Sequence, residues 1–202
     1  MYINKFLFIV LIILIVLLIY NKFTFEKFTI YNNYEYSDKL TINNIKDLRL
    51  GQQIMTDMFR EFDKICRQHN LKYWCTSGTL IGIIRHKGWI PHDGDIDVAM
   101  LETEWKKFKE VSKNILSTKY WIQDTDTDKN YKLCQKKIRH KYSCYKNGNE
   151  KYHLGLMIDI FPYERKGNLL KFKRKTEFKD LKNYDYNFIF PLKEAYFEDI
   201  LV

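Results

Sequence analysis

Residues 73–100 read YWCTSGTLIGIIRHKGWIPHDGDIDVAM, and this stretch decides the fold. It holds four of the eight glycines of the chain, so its turns are closely specified. Leu71-Lys72-Tyr73-Trp74-Cys75 suggests a short strand. Ser77 is a natural N-cap for the apolar turn Gly78-Thr79-Leu80-Ile81-Gly82-Ile83-Ile84. Beyond Gly88 and Pro91 the spacing predicts a second strand, Asp95 to Met100. Asp93, Asp95 and Asp97 alternate with Gly94 and Ile96. Alternate side chains of a strand share a face, so Asp95 and Asp97 point the same way, with Asp93 at the mouth of the strand.

Carboxylates on one face repel each other unless a cation neutralises them. Hard oxygen ligands of this kind suit Mg2+ or Mn2+, with substrate phosphates completing the shell. A solvated acidic turn is the bland alternative, but Ile96 and Val98-Ala99-Met100 carry the segment into a core. An EF-hand loop is a second alternative: Asp93, Asp95, Asp97 and Glu104 occupy its positions 1, 3, 5 and 12, but Val98 stands where that loop turns on Gly. Asp159 is a fourth acid, inside Leu156-Met157-Ile158-Asp159-Ile160-Phe161-Pro162. Burying it is costly unless it is paired or binds metal. It either completes the metal site from a neighbouring strand or forms a buried ion pair with Lys or Arg.

Ser77, Gly78 and Thr79 open the expected helix, where backbone amides and hydroxyls can hold a phosphate. On their own they also read as an ordinary helix start. Arg85, His86 and Lys87 can meet phosphate charge, or can simply be cations favoured at a helix C-terminus.

Outward from this window, helices and strands alternate, which predicts a mixed α/β domain. Ile54, Met55, Met58, Phe59, Phe62, Ile65 and Cys66 recur at helical spacing from Ile45 to about His69. A further helix from Glu102 carries Trp105, Phe108, Val111 and Ile115 on one face. Strands are expected at 120–123, 132–140 and 154–161, a turn at 146–150, and a charged helix over 168–186.

At these residues the sequence resembles the LicD family, which includes bacterial phosphocholine transferases and fukutin-related proteins. The resemblance rests on Gly78, Thr79, Leu80, Gly82, Arg85, Gly88, Ile90, Pro91, Asp93, Asp95, Ile96 and Asp97, on Asp159-Ile160-Phe161-Pro162, and on Ile189-Phe190-Pro191-Leu192 with Phe197-Glu198. It covers roughly residues 50–202. It implies a nucleotidyltransferase-like fold, a mixed sheet flanked by helices (α/β, α+β). It also implies transfer of a phospho-alcohol, such as phosphocholine or ribitol phosphate, from a CDP-linked donor to a glycan hydroxyl. By resemblance, Asp95 and Asp97 are metal ligands, Asp93 and Asp159 assist them, and Gly78 and Thr79 line the donor phosphates. Two departures stand out. His92 and Gly94 replace an aromatic residue and an Asp, and the family pattern continues past the Phe-Glu element whereas this sequence stops at Val202. A nucleotidyltransferase with another substrate, and an inactive membrane-anchored binding protein, are the alternatives.

Residues 6–20 read FLFIVLIILIVLLIY, fifteen apolar residues. A helix of that length spans about 22 Å. Tyr2, Ile3, Phe23 and Phe25 extend it, and Lys5 and Lys22 can snorkel outward. No small residues follow that would suit a cleavage site. We therefore expect a signal anchor at 1–23, a linker at 24–44 and the catalytic domain at 45–202. A single-pass protein is expected, type II with a lumenal or extracytoplasmic domain on the precedent of short N-terminal tails. Lys5 on one side against Lys22 and Lys27 on the other leaves the orientation open by charge.

The 202 residues carry a net charge of +9, which invites a nucleic-acid reading. The excess lies in two stretches. Lys132 to Lys141 holds five Lys+Arg and no acid, and Arg165 to Lys182 holds eight against Glu177 and Asp180. Both read as solvated faces, or one as a receiver of the anionic donor, and no nucleic-acid partner is expected. Cys66, Cys75, Cys134 and Cys144 lack the spacing of a zinc site.

Overall fold

Alternation of apolar and polar residues along one central strand organises the domain. In the computed structural model, residues 40–42, 45–145, 153–172 and 183–202 are described. The chain divides into two units, 1–40 and 41–202. The first lies almost wholly outside the described residues, and with it the expected anchor and most of the linker. Among the described residues no helix is long and apolar enough to cross a membrane.

The second unit runs β1 (Leu40–Ile42), α1 (Ile45–Gln68), β2 (Tyr73–Cys75), α2 (Ser77–His86), β3 (Ile96–Leu101), α3 (Glu102–Ile115), β4 (Tyr120–Gln123), β5 (Lys136–His140), β6 (Ser143–Tyr145), β7 (Met157–Lys166), β8 (Leu169–Phe172), β9 (Tyr184–Asp185), α4 (Tyr186–Ile189), β10 (Tyr196–Phe197) and β11 (Ile200–Leu201). Seven strands form a mixed sheet in the order β2-β3-β7-β5-β4, with β8 added beside the second half of β7 and β9 beside β8. β3 and β7 are parallel, with Asp97 opposite Asp159, whereas β2, β5 and β8 join antiparallel.

The two faces differ in chemistry because side chains alternate along each strand. Ile96, Val98 and Met100 of β3 and Ile158 and Ile160 of β7 are fully buried. They share the face of Tyr73, whose ring meets Phe59 and Phe62 of α1. Phe62 in turn meets Phe108 of α3, so the two long helices cover this face. All seven apolar residues expected on the inner side of α1 are buried. On α3, Trp105 and Phe108 are buried as expected, but Ile115 is exposed. The opposite face is polar at one end. At its other end Trp74, Ala99, Phe161, Tyr163, Leu170 and Phe172 pack together, covered by Tyr186, Ile189, Phe190 and Leu192.

Four local expectations are corrected. Thr76, not Ser77, is the N-cap of α2; its side chain makes no capping bond, and Ser77 adopts a left-handed φ of 48°. The strand expected over 132–140 begins only at Lys136, and the strand expected over 154–161 runs from Met157 to Lys166. Within 168–186, Leu169–Phe172 and Tyr184–Asp185 are strands rather than helix, because β7 turns back through Gly167 at φ 60° and pairs its aromatic face with β8. Residues 173–182, and the turn expected at 146–150, lie outside the described residues.

Candidate metal and phosphoryl-transfer site

The site is built where β3 and β7 run side by side. Equal parity and matched register bring Asp97 level with Asp159, and Asp95 stands two residues earlier, just before β3 begins. One carboxylate oxygen from each of Asp95, Asp97 and Asp159 lies within 4.8 Å of the other two. Asp93 stands at the mouth, its Oδ1 accepting from the Gly94 amide at 3.1 Å.

Each flanking element fixes one side of this cluster. Thr79 is buried in the first turn of α2, and its hydroxyl accepts from the backbone amide of Asp97 at 2.8 Å. The Thr76 amide donates to the Asp97 carbonyl at 3.1 Å. Gly78 backs directly onto Asp93, since a Cβ there would lie 2.5 Å from Asp93 Oδ2. Ser77 is exposed and left-handed, a conformation that costs a non-glycine residue about 1–3 kcal/mol and recurs at ligand clamps.

The loop between α2 and β3 is held from behind. The buried amide of Gln52 donates to the carbonyls of Ile90, Pro91 and Asp93 at 3.2, 3.4 and 2.9 Å. Glu198, at φ 54°, donates its amide to the Lys87 carbonyl and accepts the Trp89 amide on Oε1. The Trp89 indole donates to Thr56, which donates to the Gln52 carbonyl. The Phe-Glu element therefore staples the turn that leads into the acids.

Burial and mutual repulsion raise the acids. Burial, then the charges of Asp95, Asp159 and Asp93, push Asp97 up to about 8. Burial, then Asp159 and Asp93, push Asp95 up to about 6, against the pull of Lys137 and Arg139. Asp93 is raised by burial too. Such a cluster of hard oxygen donors, held close and short of positive charge, fits Mg2+ or Mn2+.

The alternatives for Asp159 are not exclusive. It stands in the acid cluster, and Lys137 Nζ donates to both of its oxygens. Lys137 lies opposite Asp159 on β5, so Gln123, Lys137, Asp159 and Asp97 form one polar row across four strands. Arg139, two residues along, donates to Gln123 Oε1, the Gly155 carbonyl and Met157 Sδ. Lys137 and Arg139 are 4% and 2% exposed, which corrects the reading of 132–141 as a solvated face. Lys132 and Lys141 are exposed as expected, as are Arg165, Lys166 and Lys171 of the second basic stretch.

The structure thus brings together Asp93, Asp95, Asp97, Asp159, Gly78 and Thr79, with Ser77 beside them. Arg85 and Lys87 are exposed at the opposite end of α2; Arg85 lies about 12 Å along its axis from Ser77, and Lys87 is the C-cap beyond it. Lys137, Arg139 and Gln52 were not foreseen. The signal for Lys137 was its parity with Arg139 on either side of the apolar Ile138.

A family model described as the LicD/FKTN/FKRP nucleotidyltransferase domain matches residues 70–202. The lipopolysaccharide cholinephosphotransferase LicD of Haemophilus influenzae is 38% identical over 78 residues, which cover 39% of this chain and 26% of that protein. An uncharacterized protein of Rickettsia prowazekii is 24% identical over 155 residues, 75% of this chain and 57% of that one. One of Rickettsia typhi is 23% identical over 178 residues, 87% of this chain and 53% of its own length. The chain therefore spans between a quarter and somewhat over half the length of these curated relatives.

Proposed function

From the premise that the chain belongs to the LicD/FKTN/FKRP nucleotidyltransferase-domain family, we propose that it is a divalent-metal-dependent transferase. It moves a phospho-alcohol, such as phosphocholine or ribitol phosphate, from a CDP-linked donor to a glycan hydroxyl. The observation that carries this reading is the convergence of Asp95, Asp97 and Asp159 beside the first turn of α2. The cholinephosphotransferase named among the relatives supports the class of transferred group.

Asp95, Asp97 and Asp159 would hold Mg2+ or Mn2+, which when bound neutralises donor phosphate charge. The exposed Ser77 and the amides at the start of α2, beside Gly78 and Thr79 that meet Asp93 and Asp97, would position the donor phosphates. Asp93 would take the proton of the attacking hydroxyl, and its raised affinity for a proton suits that role. Positioning and charge stabilisation would supply most of the rate. The apolar run 6–20 would anchor the protein in a membrane, with the domain lumenal or extracytoplasmic.

A screen of CDP-choline, CDP-ribitol and CDP-glycerol with Mn2+ or Mg2+, read as acceptor-dependent nucleotide release, tests the proposal. Release with one donor is expected, together with its loss in the Asp95→Asn, Asp97→Asn double variant. Activity that survives both substitutions sinks the assignment.

A further inference from the structure

Lys137 is a buried cation whose ammonium donates to both oxygens of one member of the acid cluster. We infer that Lys137 is a positioning residue that limits this site to a single divalent cation. The inference rests on the reading of the cluster as a metal site.

Two lines of argument meet here. The first is geometric. Paired catalytic cations stand about 3.5–4 Å apart, so a second ion here would have to share the oxygens of these same three acids. Asp159 lies between Lys137 on β5 and Asp97 on β3. With an ammonium across both oxygens, its remaining lone pairs serve one cation on the Asp95 and Asp97 side. The Lys137 ammonium closes the β5 side of Asp159 to a cation. Its stem is held there by burial, and its Nζ also meets Met157 Sδ at 3.2 Å.

The second is charge closure. Asp93, Asp95, Asp97 and Asp159 carry four negative charges when ionised, and Lys137 and Arg139 carry two positive ones. The difference is −2, which one divalent cation closes. A second cation would leave +2 in a largely buried pocket before any donor arrived, an uncompensated charge that is costly to desolvate. Lys137 also fixes the carboxylate plane of Asp159, which leaves the cluster preorganised for one ion.

The test is a Mn2+ titration of the metal-depleted full-length chain in detergent, followed by calorimetry and by electron paramagnetic resonance. The wild type is expected to bind one Mn2+ per chain with an uncoupled spectrum, and Lys137→Arg to do the same. Lys137→Met is expected to bind at least tenfold more tightly at the first site and to take up a second, spin-coupled Mn2+. Lys106→Met, on the exposed side of α3, should match the wild type. Two equivalents in the wild type overturn this inference alone, as does an unchanged titration in Lys137→Met. No Mn2+ binding at all overturns the metal reading as well. Should Lys137→Met fail to fold, as judged by circular dichroism, Lys137→Gln replaces it, and the wild-type stoichiometry remains decisive.

Discussion

Removing one negative charge from the metal-free acid cluster should stabilise the domain, and increasingly so as pH rises. Asp97→Asn is the perturbation. Asp95 moves from an ordinary 3.8 to about 6, and Asp97 from 3.8 to about 8. At full weight those displacements are worth about 3 and about 6 kcal/mol. Both groups open on a mouth that water reaches, so screening reduces the pair to about 3 kcal/mol. The sign follows from proton counting: between 3.8 and the folded values the native state binds more protons than the unfolded one. Stability is therefore lost as pH rises through about 6 and then about 8. His140, lowered by burial to about 4, acts in the opposite sense, but its contribution is complete above about 6.5. The informative window thus runs from about pH 6.5 to 9. Asp97→Asn should recover about 2 kcal/mol near pH 8, a rise in Tm of about 4–8 °C for a domain of this size. The gain should shrink to less than half at pH 5. Thermal melts in EDTA across this range measure it, and Mn2+ should abolish the advantage by stabilising the wild type. A wild-type Tm that is flat or rises between pH 6.5 and 8.5, or an Asn variant less stable at pH 8, refutes the reasoning.

Three further outcomes follow from the packing behind the site. Gln52→Leu leaves the carbonyls of Ile90, Pro91 and Asp93 without their shared donor, and should cost about 2 kcal/mol in chemical denaturation. Its kcat should fall further than stability explains, because Asp93 loses its support. Gly78→Ala places a methyl against Asp93 Oδ2 at 2.5 Å. Transfer activity should drop at least tenfold while Tm moves by no more than a few degrees, because the flexible carboxylate yields before the backbone does. Gly82→Ala drives its methyl into the Gly88 carbonyl, a backbone atom held by the α2 C-terminus. Unfolding free energy should fall by about 1–3 kcal/mol, seen as an earlier urea midpoint at unchanged slope.

The acids were legible in the sequence because two simple rules locate them. Alternation on a strand puts Asp95 and Asp97 on one face, and an acid inside an apolar run such as Leu156 to Pro162 must be paired or bind metal. Their partner was not legible. In Lys136-Lys137-Ile138-Arg139-His140, charge normally signals solvent, and only the sheet order shows that the odd positions of β5 face the acids. Ser77 was misread for a related reason. Serine usually caps helices, but the bond that organises the start of α2 runs from the Asp97 amide to Thr79, a long-range partner that no local rule supplies. The strand β8 carried a signal that the charge run concealed: Gly167-Asn168 between Tyr163 and Leu170 has the composition of a two-residue hairpin turn. Gln52 lay beyond reach, because its three acceptors are 38 to 41 residues away.

The polar half of the sheet shows why these hidden partners are required. Three carboxylates converging in a part-buried site repel one another, and a cluster with no internal cation would push the strands apart whenever metal is absent. Lys137 and Arg139 offset that repulsion from within the same sheet, and their own burial is satisfied by Asp159, Gln123 and Gly155. Burial, and to a lesser degree the charge of Arg139, pulls the Lys137 ammonium below the usual lysine range, against the attraction of Asp159. The pair is thus balanced rather than strongly stabilising, as buried ion pairs generally are. Its contribution is to orientation: it fixes one carboxylate and leaves Asp95 and Asp97 raised and exposed to whatever cation arrives. A site arranged in this way sacrifices stability of the metal-free domain for readiness to bind, which is the trade that Asp97→Asn would reverse.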